Sequence, residues 1–262
     1  MVDDISSGAG EPSWRGLYRV GGAAALAAGI LFRRNLGMEI SLLSTVEPPA
    51  TVQDAFALLQ DDRLLGLTYL HVFDVVNYLL VALLFLALYA LLRRAVPGAM
   101  AVAAVLAVLG TGIYAATNPA LSLYALSEQH AAAATDAERG ALLAAGQALL
   151  AIGRFTGSGA HPGSAGYLSL LLVGAAGLIA SVVMLRSGAF ARAAGYVGIA
   201  AHGLDLAYCL AYALVPAIDP ALLAVTTIPL AGLLYMVWHI LVGWGLVRTG
   251  LRGTGVTGVS PD

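Results

Sequence analysis

The chain has 262 residues, of which 60% are hydrophobic and 11% charged, against about 45–50% and about 25% in soluble domains. So few charges cannot cover a water-facing surface, which excludes an ordinary soluble protein and points to an all-α integral membrane helical bundle. The formal net charge of −2 excludes a basic surface for nucleic acid.

All 13 basic residues are Arg. With the heavy use of Ala, Gly, Leu and Val, this reads as the codon bias of a GC-rich bacterium. Cys209 stands alone in an apolar run. One thiol gives neither an intramolecular disulfide nor a metal framework, so it reads as a small core hydrophobe.

Residues 1–15 form a polar tail. The opening "MVDDISSGAGEPSWRG" lacks the basic start and cleavable apolar core of a signal peptide, so the first apolar run is expected to be retained as an anchor. Spanning a bilayer takes about 20 mostly apolar helical residues. Six runs come close: Leu17–Phe32, Leu64–Leu92, Ala99–Thr117, Tyr167–Leu185, Ala193–Val215 and Ala221–Val247. They form a single transmembrane domain over 16–250, followed by a polar tail over 251–262.

A seventh candidate, Gly140–Phe155, is shorter and holds Gln147 and Arg154. Positive residues beside spans favour the cytoplasm. If this segment does not cross, Arg15, Arg19, Arg93, Arg94, Arg186, Arg192, Arg248 and Arg252 all fall inside. The reading is therefore six transmembrane helices plus a short interfacial or re-entrant helix, with seven spans as the alternative. Both termini are then cytoplasmic, in a bacterial cytoplasmic (inner) membrane, with membrane lipids as partners. Arg33, Arg34, Arg63, Arg139 and Arg154 are left outside, on a side made acidic by Glu39, Glu47, Asp54, Asp61, Asp62, Glu128, Asp136, Glu138 and Asp219. Within Asn35–Arg63, prolines break the chain, and "VQDAFALLQ" has the spacing of a short amphipathic helix that could cap the bundle.

The stretches "FRRNLGMEISLLS", "LLQDDRLLGLTYLHVFDVVNYLLVALLFLALYALLRR", "GAHPGSAGYLSLLLVGAAGLIASVVMLRS" and "MVWHILVGWGLVRTG" resemble the bacterial membrane proteins of domain of unknown function 4386. The resemblance runs from about Tyr18 to Gly250. It implies a multi-spanning bacterial membrane protein and carries over no catalytic residue, because the family has no established activity.

Polar residues inside the spans are the functional candidates, since a charge at mid-helix costs roughly 2.5–3.5 kcal/mol on insertion scales. His71, Asp74 and Asn77 follow one another at steps of three on the second run. His202 and Asp205 repeat the His-x-x-Asp spacing on the fifth, with Tyr208 and Tyr212 continuing the stripe. The sixth carries His239 between Trp238 and Trp244. At about 1.5 Å per residue, His202 and His239 both lie ~14 Å from the inner face, with Asp205 slightly further out. Asp74 lies ~27 Å from it.

Two His and one carboxylate suit zinc or non-haem iron. Three side chains without a sharp signature are a weak signal, so no metal and no cofactor is expected, with His202, Asp205 and His239 the weak candidates. The bland account is that an Asp three residues after a His partners it and lessens its burial cost. A second account makes the second and fifth helices counterparts in an inverted repeat. Asp74 is ten residues into its run and Asp205 twelve.

Gly174, Gly177, Gly195, Gly198 and Gly203 suit close helix packing. "TGSGAHPGSAGY" lacks the ending of a phosphate loop and reads as an outer loop. Three functions fit. The first is binding of a small lipophilic ligand, or support of transport, through His202, Asp205, His239, Tyr208 and Asn77. The second is an intramembrane enzyme on an isoprenoid- or quinone-like substrate, with Asp74, Asp205 or Glu39 as acid or base. The third is a purely structural membrane protein. Nothing in the sequence sets the oligomeric state.

Overall fold

A computed structural model describes residues 12–45, 49, 51–153, 164–215 and 220–251, and among them every regular element is a helix. The elements are α1 (Pro12–Thr45), α2 (Val52–Asp61), α3 (Arg63–Tyr69), α4 (Val72–Leu92), α5 (Pro97–Thr117), α6 (Ala120–Ala132), α7 (Asp136–Gly153), α8 (Ser164–Ser187), α9 (Arg192–Leu214) and α10 (Pro220–Leu251). Among the described residues, five stretches are long and apolar enough to cross a membrane: α4, α5 continued into α6, α8, α9, and α10 from Pro229. A 21-residue helix such as α4 is about 32 Å long, matching a hydrocarbon core of about 30 Å.

The long helices form a closed ring. Each of α1, α4, α5, α8, α9 and α10 packs along the one before and the one after it, and α10 closes on α1. Neighbours run antiparallel. On α1, Gly21 meets Ala87 of α4, and Gly22 meets Gly243 and Val247 of α10. A Cβ at Gly22 would lie 2.9 Å from the Gly243 carbonyl oxygen, so glycine is what lets these backbones approach without a hydrophobic drive between helices. The outer surface is apolar: Leu79, Leu83, Val105, Leu109, Leu210, Leu233 and Ile240 are all exposed. A water-soluble protein would not leave such a continuous belt bare.

Alternation of direction gathers charge by type. The N-termini of α1, α5 and α9 and the C-termini of α4, α8 and α10 lie together. Arg15, Arg19, Arg93, Arg94, Arg186, Arg192 and Arg248 therefore share one end of the bundle. Arg93 lies over the Trp14 ring at 4.5 Å, and Arg19 donates to the Gly250 carbonyl at 3.3 Å. At the other end α2, α3, α6 and α7 make a cap with its own small core of Val52, Phe56, Leu59, Leu70, Ala120 and Leu123. The cap carries Asp54, Asp61, Asp62, Glu128, Asp136 and Glu138. Local chemistry starts its helices. Thr51 and Asp54 form a reciprocal capping box, and the Asp62 carboxylate accepts the Leu65 amide.

The six expected apolar runs fall on α1, α4, α5, α8, α9 and α10, of which all but α1 are among the five stretches long and apolar enough to cross, with differences. The run Leu64–Leu92 is two helices, not one: His71 adopts a left-handed φ of 58° and separates α3 from α4. The first helix continues to Thr45, past the expected end of its apolar run at Phe32. "VQDAFALLQ" is the amphipathic α2, its face Val52, Ala55, Phe56 and Leu59 buried in the cap. The segment expected as Gly140–Phe155 starts a turn earlier, and α7 packs on α2 and α6, with Gly146 against Val52 and Phe56. Helix α6 was not expected. Most of "TGSGAHPGSAGY", Arg154, and the side chains of Arg33, Arg34, Glu39 and Glu47 lie outside the described residues.

Candidate functional site

The interior is divided lengthwise. Toward the arginine end the core is mainly apolar, with Phe85, Leu88, Met184, Val242 and Leu246 all buried and Ser181 a buried hydroxyl among them. Toward the acidic end the same bundle turns polar and tyrosine-rich, with Asp74, Asn77, Tyr78, Thr111, Tyr114, Ser169, Asp205, Tyr208 and Tyr235. His202 and Trp238 stand at the boundary, their rings edge to face at 4.8 Å.

Helices α9 and α10 place the central group by register. Asp205 lies 13 residues from the start of α9, and Tyr235 lies 13 residues from Arg248 on the antiparallel α10, so both stand at about 20 Å from the arginine end. The Tyr235 hydroxyl donates to Asp205 Oδ2 at 2.5 Å and lies 2.9 Å from His202 Nδ1. A phenol has one proton. If it goes to the carboxylate, His202 must carry its proton on Nδ1, and its Nε2 is left an acceptor. His202 and Asp205 are thus joined through a hydroxyl from the next helix. His239, on the far side of Trp238, donates from Nδ1 to the Tyr235 carbonyl at 2.8 Å. The three side chains each meet Tyr235, two at its hydroxyl and one at its carbonyl, and among the described residues no three His, Cys, Asp or Glu group closely enough to hold a metal ion.

Glycines make room for this centre. A Cβ at Gly177 of α8 would fall on the His202 imidazole, and one at Gly198 on Ser181 Oγ and the Trp238 indole nitrogen. Gly174 and Gly195 also face neighbouring helices, whereas Gly203 faces open space and has no packing role. Ser181 Oγ, Trp238 Nε1, His202 Nε2 and Asn77 Oδ1 are buried with no hydrogen-bond partner among the described residues.

The other His-x-x-Asp is built differently. His71 caps α4 and pairs with Asp74, Nδ1 to Oδ2, at 3.2 Å; their side chains are 32% and 25% exposed. Asp74 also accepts from the Tyr114 hydroxyl at 3.4 Å. The break in the helix is held by Asn118, whose amide reaches the carbonyls of Leu70 and His71 at 3.3 Å each. Asp74 is the third residue of α4 and Asp205 the fourteenth of α9. The positional match expected of an inverted repeat is therefore lost. Tyr114 stacks on Tyr78 at 4.0 Å, and Tyr78 is within electrostatic reach of both Asp74 and Asp205.

Of the expected ligand residues, His202, His239, Tyr208 and Asn77 are buried and Asp205 is partly so. Cys209 is a buried free thiol. Glu39 lies where no side chain is described. Sequence reasoning missed Tyr235, the residue that joins His202 to Asp205. Its signal was its place four residues before His239, on the same helix face.

An apolar exterior, a closed antiparallel ring and a polar centre enclosed within it define a helical membrane protein with several spans. The family model described as Domain of unknown function (DUF4386) matches residues 16–244, and the chain belongs to that family. No curated protein and no solved structure matches it.

Proposed function

We propose that this is a six-span protein of the bacterial cytoplasmic membrane, both termini cytoplasmic, that holds a small amphiphilic molecule in the polar half of its bundle. Five apolar spans, with α1 as the sixth, and the gathering of arginines at the end that carries the first and last long-helix termini support this orientation. Arg15 and Arg19 in α1 then lie at the cytoplasmic interface.

The observation that carries the binding reading is the group of buried Tyr235 and His202 with part-buried Asp205, beside buried polar atoms with no partner among the described residues. Each unsatisfied polar group in an apolar interior costs roughly 1–3 kcal/mol. A ligand head that both donates and accepts would offset that cost: it can donate to His202 Nε2 and accept from the Trp238 indole N–H. Tyr78, Tyr114 and Tyr208 supply aromatic faces for the apolar remainder.

The test is native mass spectrometry with lipid extraction on detergent-purified protein. Wild type is expected to retain a small amphiphile that His202→Ala and Tyr235→Phe lose while still folded. An identical lipid complement in all three would refute the reading. So would a stoichiometric metal ion lost with His202→Ala.

A further inference from the structure

The arginine end carries charge without a counter-charge. Every Asp and Glu of the described helices lies farther along the bundle, as Asp205 does at about 20 Å, or in the cap. Arg19 and Arg93 are engaged within the protein, by the Gly250 carbonyl and the Trp14 ring. Arg192 and Arg248 are exposed, and no carboxylate among the described residues pairs with them. The fold brings these two to one seam. Gly198 of α9 meets Trp238 of the antiparallel α10, and His202 meets Tyr235. Continued toward the arginine end, that register sets Arg192 level with Trp244 and Arg248 one turn beyond it. Phe190, two residues before Arg192, packs on Gly245, where a Cβ would come within 2.8 Å of its ring. The turn between α8 and α9 is thereby laid against the end of α10. One turn deeper than each arginine stands an exposed aromatic side chain. Tyr196, 62% exposed, follows Arg192, and Trp244, 57% exposed, precedes Arg248, whose guanidinium is 5.9 Å from the ring centre. Deeper still the surface is hydrocarbon, with exposed Ile240 level with Tyr196. Charge, amphipathic ring and hydrocarbon thus follow one another in the order of a phospholipid's own parts.

We propose that the seam of α9 and α10 at the arginine end is a binding site for an anionic phospholipid of the adjoining leaflet. Arg192 and Arg248 take its phosphodiester, and Tyr196 and Trp244 lie along its glycerol and upper acyl chains. A guanidinium is charged at any working pH and presents a fork of donors that matches phosphate oxygens. The headgroup is anionic overall, because a zwitterionic one brings its own cation to a face already rich in unpaired arginines. The site stands apart from the Asp205, Tyr235 and His202 group and does not depend on the amphiphile. His202→Ala should leave it unchanged.

Lipid titration of the full chain in detergent, read by native mass spectrometry, tests it with phosphatidylglycerol against phosphatidylcholine of the same acyl chains. Each arginine at the membrane surface is expected to contribute about fivefold, so the first phosphatidylglycerol should bind about 25-fold more tightly than phosphatidylcholine. Arg192→Gln and Arg248→Gln should each remove about fivefold of that preference, and Trp244→Ala should weaken both lipids. Arg63→Gln makes the same change of charge in the cap, where Arg63 lies over the Tyr124 ring, and should leave the preference intact. Glycerophosphoglycerol, the head without its chains, should not compete at the lipid's concentration. If a Gln variant does not fold, Arg192→Lys and Arg248→Lys keep the test open: they preserve the charge, lose the fork and should fall between wild type and no preference. Equal binding of the two lipids, equal loss with Arg63→Gln, a preference unchanged in the folded arginine variants, or competition by the chainless head as strong as by the lipid would overturn the proposal.

Discussion

One spacing serves two unlike places. At His71–Asp74 the partners touch directly, lie partly in solvent and begin a helix. At His202–Asp205 they are linked through Tyr235 of a neighbouring helix, deep in the bundle. The first is a local contact that α4 makes on its own. The second exists only when α8, α9 and α10 are packed. The same residues therefore carry different energies, because their cost and their worth are set by what surrounds them.

Substitutions can break or sharpen that contrast. The largest effect is expected from Gly177→Ala, whose methyl would fall on the His202 ring. Overpacking a rigid contact costs about 1–3 kcal/mol, so thermal unfolding in detergent should shift clearly downward. Among the described residues no glycine is shown packed on the His71 ring in this way. Next is Tyr235→Phe, which strips a shared hydroxyl from buried His202 and part-buried Asp205 and should cost about 1–3 kcal/mol. Tyr114→Phe removes a longer bond to a part-exposed Asp74 and should cost less than about 1 kcal/mol. A reversed order in the same melting assay would erase the distinction between the pairs.

A smaller effect is expected at the helix break. His71→Ala loses a contact worth about 0–1 kcal/mol and keeps a side chain in the left-handed region. His71→Gly loses the same contact and removes that strain, so it should melt as the more stable of the two by about 1 kcal/mol. The smallest effect concerns α7. Backbone amides of Thr135 and Ala134 hold the Glu138 carboxyl below its ordinary value of 4.5. A depressed carboxyl stabilises the helix start above its unfolded value and loses that effect as pH falls through its folded one. Glu138→Gln should abolish this acid-side fraying, followed by NMR of the Ala134 and Thr135 amides.

The spans were legible in the sequence because a bilayer demands long apolar runs whatever the fold. The arginine placement was legible too, since alternation converts chain order into sidedness. The break at His71 was not. "TYLHVFD" contains neither Gly nor Pro, and the turn is held by Asn118, nearly fifty residues away. Helix α6 was missed because one of its partners, α2, is distant in sequence. At the centre, His202 and Asp205 stood out as costly residues in an apolar run. Tyr235 did not, because tyrosine is ordinary in a span, and only packing makes its hydroxyl the link.

The lengthwise contrast in the core predicts a bundle reachable from the acidic end and tightly packed at the arginine end. Thiol accessibility tests this directly, in a Cys209→Ser background, with a membrane-impermeant reagent applied to one face at a time. Asp74→Cys and Tyr212→Cys are predicted to label from the acidic face only, and Ala180→Cys and Leu246→Cys from neither. Labelling of either of the last two from the arginine face, or of the first two from that face, would contradict it.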